Sequence, residues 1–418
     1  MSDRRLTVGM VAAMPWPAAK ASSIRAGNIL RALLDCDPEL FVELFAYEGG
    51  SFDPHPRLRV HRVSGFDADK ARYYRWRNKL VADLGLLGAL RAARERIDVL
   101  YAHTFEGLAI ALAFKASTRR RVPICADLHG PFVPELVHYG MIPDRRLARA
   151  PFALLETALL RACDHVFASN EGLAETIAAK IGRERTSVLF DYVDLALFDP
   201  ARIDPLRIAE LEARFKPPGT RLVAYVGMFK DYQGVDGLVR AFAAIAPRYP
   251  DLRLLLVGDG PCRSDYERIA RARGIADRLL MPGLVPHADV VHWLRLADVL
   301  VSPRVDNSIT RSGFVSQMPE YMAAGKPIVS TPVSGCAFLL RDDAGILVPS
   351  DDDAALAEGI ERALALSEDA RAAMVARARA NVARFTWREN IGPVAARLRA
   401  LAARSVRAAP SAAAREAP

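Results

Sequence analysis

The sequence predicts an α/β protein built from two tandem, doubly wound domains. Three observations carry that expectation. The chain has 418 residues, more than one hydrophobic core usually serves. Short, continuous apolar runs alternate with helix-like stretches, as strands covered on both faces of a parallel sheet do. The alternation breaks once, at the proline- and charge-rich residues 198–219, and then restarts.

Taken in order, the first half shows candidate strands at 6–13, 41–46, 99–102, 122–126 and 165–169, with helices such as 24–34 and 152–162 between them. Residues 198–219 read as a linker with one short helix. The second half shows strands at 221–226, 252–257, 278–281, 299–302, 328–331 and 345–348, then helices from about 352 to 402. The expected division is a Rossmann-like domain over 1–197, the linker, a second Rossmann-like domain over 220–385, a C-terminal helix over 386–404 and a disordered tail over 405–418 rich in Ala, Pro, Ser and Arg. Two such sheets would face each other across a cleft at their strand C-termini, where open α/β sheets bind ligands. The last helices would pack back on the N-terminal domain.

Composition narrows the function. Hydrophobic residues make up 51% and charged residues 25%, a globular balance with no apolar run long enough to span a bilayer. Arg4 and Arg5 precede an apolar stretch that Pro15 and Pro17 break at once, so it reads as a first strand rather than a signal peptide, and a cytoplasmic protein is expected. The cysteines (Cys36, Cys125, Cys163, Cys262 and Cys336) are scattered, odd in number and never in a C-x-x-C pair, which argues against a disulfide framework or zinc site and points to buried free thiols. The net charge of +8 suits anionic partners, but nothing resembles a nucleic-acid module.

The most informative run is LVSPRVDNSITRSGFVSQMPEYMAAGKPIVST, residues 300–331. A strand ends at Pro303 and a polar loop follows. Ser316 is placed to cap a helix, Pro319 falls in its first turn, Gly325 ends it and Pro327 prevents its continuation. The helix N-terminus then favours an anion near the strand ends, and the Glu320 carboxylate can accept hydrogen bonds from a ribose diol. An ordinary loop–helix–strand unit with a solvated glutamate reads the same way.

This run resembles the signature of the retaining glycosyltransferases of family 4, through Gly313, Phe314, Glu320, Met322, Ala323, Gly325, Pro327 and Val329. Four further segments resemble that family: AYVGMFKDYQGVDGL at 224–238, LLLVGDGP at 254–261, LLMPGLVPHADVVHWLRLADVLVSP at 279–303 and LFDYVDLALFDP at 189–200. The resemblance implies a GT-B fold, a nucleoside-diphosphate sugar as donor and no metal or other cofactor. It places Glu320, Ser312, Gly313 and Phe314 at the donor ribose and sugar, Gly227 at the diphosphate, and Gly283 and Leu284 at the base. The chain departs from the family at Ser312, where a glutamate is usual, and at Met228 and Gln233, where Arg and Lys hold phosphate. Gln233 keeps the phosphate-side position, and Lys230, Arg304 and Arg311 are near enough in sequence to replace the lost charges, Arg suiting phosphate through its forked donors.

The N-terminal half places His103 and His129 at strand ends, in VLYAHTFEG and ADLHGPF. The second motif resembles the family's strand ending in H-G, which puts His129 near the reacting centre. His103, Ser22 and Arg25 are acceptor-side candidates, although Ser22 or Ser23 as a plain helix cap is the simpler reading. Residues 69–90 mix Lys70, Arg72, Arg75, Arg77 and Lys79 with Tyr73, Tyr74 and Trp76 ahead of an apolar stretch, a pattern that suits peripheral contact with the inner membrane leaflet or a solvated helix. Asp351, Asp352 and Asp353 open a helix and suit its dipole rather than a metal.

The expected activity is transfer of a hexosyl group to an acceptor glycan, lipid-linked precursor or small molecule, in a bacterial cell-envelope or polysaccharide pathway. Two rivals remain: a non-catalytic nucleotide-sugar-binding partner subunit, and a GT-B-fold UDP-sugar epimerase.

Overall fold

The structure is a computed structural model that describes residues 5–18, 21–64, 76–118, 120–138, 140–312, 315–333 and 335–407. It divides into two units, Met1–Phe190 with Trp387–Pro418, and Asp191–Thr386.

In the first unit the strands are β1 (Leu6–Trp16), β2 (Leu40–Glu48), β3 (Leu58–Val63), β4 (Val99–His103), β5 (Ile124–Leu128), β6 (His165–Ala168) and β7 (Thr186–Val188). All pair in parallel, in the order β3-β2-β1-β4-β5-β6-β7. The helices are α1 (Ala21–Cys36), α2 (Trp76–Ala92), α3 (Thr104–Thr118), α4 (Phe132–His138), α5 (Arg146–Ala162) and α6 (Glu171–Ile181). β4, β5 and β6 are buried at every residue, which is why they read as plain apolar runs. β3 and β7 were not expected: they are the sheet edges, half exposed and partly polar, so the apolar-run signal is absent.

The first α-helix of the second unit is α7 (Pro205–Phe215), capped by Asp204 and packed on α10 (Val290–Leu296). Its strands are β8 (Arg221–Val226), β9 (Leu252–Val257), β10 (Leu279–Gly283), β11 (Val299–Ser302), β12 (Ile328–Ser330) and β13 (Ile346–Leu347), parallel in the order β10-β9-β8-β11-β12-β13. Its other helices are α8 (Val235–Ile245), α9 (Arg263–Ala272), α10 (Val290–Leu296), α11 (Ser308–Ser312), α12 (Gln317–Ala324), α13 (Cys336–Leu339), α14 (Asp353–Leu364) and α15 (Glu368–Ala383). α14 is capped by Asp352, whose carboxylate accepts the Ala355 N–H. The chain then returns to the first unit through α16 (Trp387–Asn390) and α17 (Gly392–Arg407). α17 packs on α1, β1 and β4 and anchors Arg399 on Asp37 through two 2.6 Å bonds.

Each sheet has one topological switch point, between β1 and β4 in the first unit and between β8 and β11 in the second. Loops leaving adjacent strands diverge there, which opens a crevice at the strand C-termini. Two sequence expectations are corrected. Ser316 does not cap α12: its backbone is already helical (φ −61°, ψ −26°) rather than extended, and its side chain makes no cap hydrogen bond. Nor are all the thiols buried; Cys36, at the end of α1, is exposed and Cys262 is half-buried.

Candidate active site

In the first unit the polar groups gather at the ends of β4 and β5. Parallel register pairs His103 with Asp127, and period-two alternation puts Asp127 and His129 on one side of the chain. Thr104, the residue after His103, takes φ 62°, a left-handed conformation that non-glycine residues rarely hold, and turns β4 straight into α3. α1 carries Arg25 to the same place. Its guanidinium donates to Asp127 through Nε (2.9 Å) and Nη2 (2.7 Å), and also to the Leu189 carbonyl (2.6 Å).

Asp127 Oδ2 also lies 3.1 Å from His103 Nδ1 and 2.9 Å from His129 Nε2. An ionised carboxylate only accepts, so the imidazole nitrogen facing it carries the proton. Neutral His129 therefore keeps its lone pair on Nδ1. Burial alone would raise the Asp127 carboxyl. The Arg25 guanidinium beside it, then His129 and the bonds from both imidazoles, outweigh burial and hold it well below the usual carboxylate range. Burial lowers His103 below its ordinary value, and Asp127 offsets only part of that. His103, Asp127 and His129 present ligand atoms within 4.8 Å of one another, a cluster the sequence did not disclose. The Arg25 guanidinium bonds to both Asp127 oxygens, so the group is built round an ion pair. Ser22 lies in the first turn of α1, and the neighbouring Ser23 hydroxyl accepts the Ala18 N–H at 2.9 Å, so neither caps the helix from outside.

In the second unit α12 is tied to the end of β8. The Tyr321 hydroxyl accepts the Val226 N–H at 2.7 Å and reaches the Val226 carbonyl at 3.3 Å. This brings the start of α12 against Gly227, where an added Cβ would lie 2.7 Å from the Tyr225 hydroxyl and 2.9 Å from Gln317 Oε1. The Gly227 N–H is itself used in the sheet, donating to Val257 at 2.9 Å. Gly234, at φ 68°, packs so tightly on the Pro303 carbonyl that only glycine fits. The 303–304 segment is held from below by Thr331, whose hydroxyl donates to the Arg304 carbonyl at 2.8 Å.

That packing leaves Arg304 only 6% exposed. Its Nε has no hydrogen-bond partner, and no carboxylate pairs with it among the described residues. The Tyr232 ring lies 5.6 Å from the Arg304 guanidinium and 5.5 Å from Lys230 Nζ. Gln233, equally buried, has an unpartnered Oε1. Arg311, by contrast, is an exposed residue of α11 held by Asp306 at 2.6 and 3.0 Å.

Glu320 lies on the first turn of α12 and accepts a 2.6 Å bond from His287 Nε2. Gly283 (φ 95°) ends β10 with its carbonyl on the Gly258 N–H, and Leu284 beside it is exposed. Gly313 and Phe314 lie outside the described residues, and Ser312 is described only as the end of α11. Sequence reasoning missed Asp127, although an acid two residues before a strand-end histidine signals a shared face. It also missed His287, for which no local signal exists.

Residues 23–190 match the glycosyl transferase 4-like domain, and residues 220–366 match the family of glycosyl transferases group 1. The two matches together take in well over half of the chain. The chain is 31% identical over 159 residues to the alpha-D-kanosaminyltransferase of Streptomyces kanamyceticus, a match covering 38% of this chain and 40% of that protein, so it spans less than half of that relative's length. It is 28% identical over 374 residues to the 2-deoxystreptamine N-acetyl-D-glucosaminyltransferase of Streptomyces fradiae, covering 82% of each. Among solved structures, the Anabaena protein HepE in complex with UDP and glucose matches with a TM-score of 0.71 at 17% identity, over 94% of this chain and 100% of that one, a likeness of fold.

Proposed function

The chain belongs to the glycosyl transferases group 1 family, with the GT-B fold, and on that premise we propose that it moves a hexosyl group from a nucleoside-diphosphate sugar to an acceptor, with retention at the anomeric carbon. The observation that carries the donor half is Arg304. A guanidinium buried without a counter-ion is costly, and a diphosphate supplies the missing charge with geometry that suits its fork. Lys230, the buried Gln233 amide and the start of α12 complete the anion site, Glu320 takes the ribose diol, and the backbone at Gly283 and Leu284 meets the base. Arg311 serves only if it leaves Asp306.

In the reaction the bond from the anomeric carbon to the diphosphate oxygen breaks and a bond to the acceptor oxygen forms. The acceptor proton passes to the departing diphosphate. Charge develops on that leaving group, so fixed cations and helix N–H groups there are the main source of rate enhancement. The first unit is the acceptor side, where His129 offers Nδ1 to a sugar or acceptor hydroxyl and Asp127 with Arg25 fixes its orientation. The acceptor class is a small polyol or a lipid-linked glycan; the relative named for 2-deoxystreptamine supports the former. No helix among the described residues is long and apolar enough to cross a membrane. We place the protein in the cytoplasm, with peripheral contact to the inner leaflet through residues 69–90. The described part of that stretch exposes Leu80, Val81 and Leu84, and residues 69–75 lie outside the described residues.

The test is thermal unfolding with UDP, GDP, ADP and their hexosyl derivatives, for the wild type and Glu320→Ala, followed by turnover of whichever sugar binds. One diphosphate should raise the Tm, and the variant should lose about 1.5–3 kcal/mol of that binding. No shift with any nucleotide overturns the donor assignment. A shift without turnover makes the chain a nucleotide-sugar-binding subunit.

A further inference from the structure

Glu320 stands on a helix whose place is fixed, but its own side chain is long and flexible. The Tyr321 hydroxyl, tied to the backbone of Val226, settles where α12 lies. It does not settle where the Glu320 carboxylate points. Among the described residues one hydrogen bond does so, the 2.6 Å bond that Oε1 accepts from His287 Nε2. An ionised carboxylate only accepts, so this imidazole nitrogen carries the proton.

His287 comes from the loop after β10, 33 positions earlier in the chain. That loop is braced. Pro286 holds φ at −57° just before His287, and the Asp289 N–H closes the turn on the Pro286 carbonyl at 2.9 Å. Arg207 of α7 then holds the Asp289 carboxylate through Nη2 at 2.8 Å. Both partners of the bond thus stand on fixed backbone, so the bond can hold a rotamer rather than follow one. The His287 and Glu320 side chains are 24% and 21% exposed, sheltered from much of the water that competes for a carboxylate yet still open to a ligand.

We propose that His287 is a positioning residue that presets the Glu320 carboxylate for a vicinal diol, and so makes the site select ribonucleotides over 2′-deoxyribonucleotides. The proposal rests on the reading of Glu320 as the ribose ligand. Each carboxylate oxygen accepts on more than one lone pair, so Oε1 takes a hydroxyl as well as His287, and Oε2 takes the neighbouring hydroxyl. That two-point bond demands one orientation of the carboxylate plane, whereas a single hydroxyl is satisfied over a range of them. Fixing the plane beforehand removes the rotamer freedom that diol binding would otherwise have to freeze, and it favours the diol most. The same loop carries Gly283 and Leu284, so the segment proposed to meet the base also sets the group that reads the sugar.

Affinities of the full-length chain for UDP, GDP, ADP and their 2′-deoxy forms are measured by titration calorimetry. The proteins are the wild type, His287→Phe, His287→Gln, Glu320→Ala, and His287→Phe combined with Glu320→Ala. The wild type should bind one of these diphosphates about tenfold or more tighter than its 2′-deoxy form. His287→Phe should weaken the ribose form about tenfold and change the deoxy form about twofold or less. His287→Gln, which keeps an N–H donor at similar reach, should restore most of the preference. In the Glu320→Ala background His287→Phe should change neither affinity, because His287 acts through that carboxylate. If His287→Phe keeps the wild-type preference, or weakens both forms alike, the role of His287 is overturned and the donor assignment stands. Wild-type binding without a preference for ribose overturns the proposal and removes Glu320 from the ribose, while the diphosphate site remains. No binding of any diphosphate by the wild type overturns the donor assignment and this proposal with it.

Discussion

In the first unit the Arg25 guanidinium, 3% exposed, lies against both oxygens of Asp127. In the second, Arg304 is nearly as buried and meets no carboxylate among the described residues. Both stand at strand ends beside a topological switch point, on sheets of the same parallel kind. One cation is built into the fold and orients two histidines. The other is held in place by backbone packing and kept unneutralised. A buried ion pair preorganises a side chain that must already be in position when substrate arrives, whereas a buried lone cation stores electrostatic attraction for an anion from outside.

The sharpest way to break this contrast is to make one substitution in both units. Arg25→Met should cost about 3–5 kcal/mol in urea unfolding, because it strands the Asp127 carboxylate without its main partner. Arg304→Met should cost little or even stabilise the nucleotide-free protein, while abolishing the thermal shift given by the donor nucleotide. Equal destabilisation by both would show that Arg304 is structural.

A smaller effect sharpens the first unit's side. Burial lowers His103, and it lowers His165 to about 4, with Arg397 and Arg185 adding to the effect there. Both fall below the unfolded value near 6.5, so the unfolded chain binds more protons as pH drops. Stability should therefore be full above about pH 6.5 and fall below it, at up to about 1.4 kcal/mol per pH unit for each histidine, down to its folded pKa. The Tm measured between neutral pH and pH 5 checks this. His103→Gln should flatten the slope, and an unchanged slope would remove His103 from the account.

The smallest expected effect belongs to Arg311. Arg311→Ala should leave both the Tm and nucleotide binding unchanged, because the side chain is exposed and engaged by Asp306. A weaker thermal shift in that variant would make Arg311 a phosphate ligand and reduce the weight placed on Arg304.

The second unit was the more legible one. Its strands are apolar even at the edges β10 and β13, and Gly227, Gly325 and Pro327 punctuate it through backbone rules that act locally. The edge strands β3 and β7 escaped because their polar faces imitate loops. Candidate roles followed the same divide. Glu320 and Gly227 could be chosen from one contiguous motif, but the pairing of Glu320 with His287 joins residues 33 positions apart.

Apolar runs and turn residues encode local geometry, so the two α/β units, the parallel sheets and the strand ends at which polar residues gather are legible in the sequence. Which charges meet is a matter of tertiary packing. Arg25 and Asp127 lie 102 positions apart, and no local pattern tells a guanidinium whether a carboxylate will lie across the sheet from it. It likewise decided which leucines of α5 find a neighbour and which stay in water, since an amphipathic period shows that a helix has a face but not what covers it.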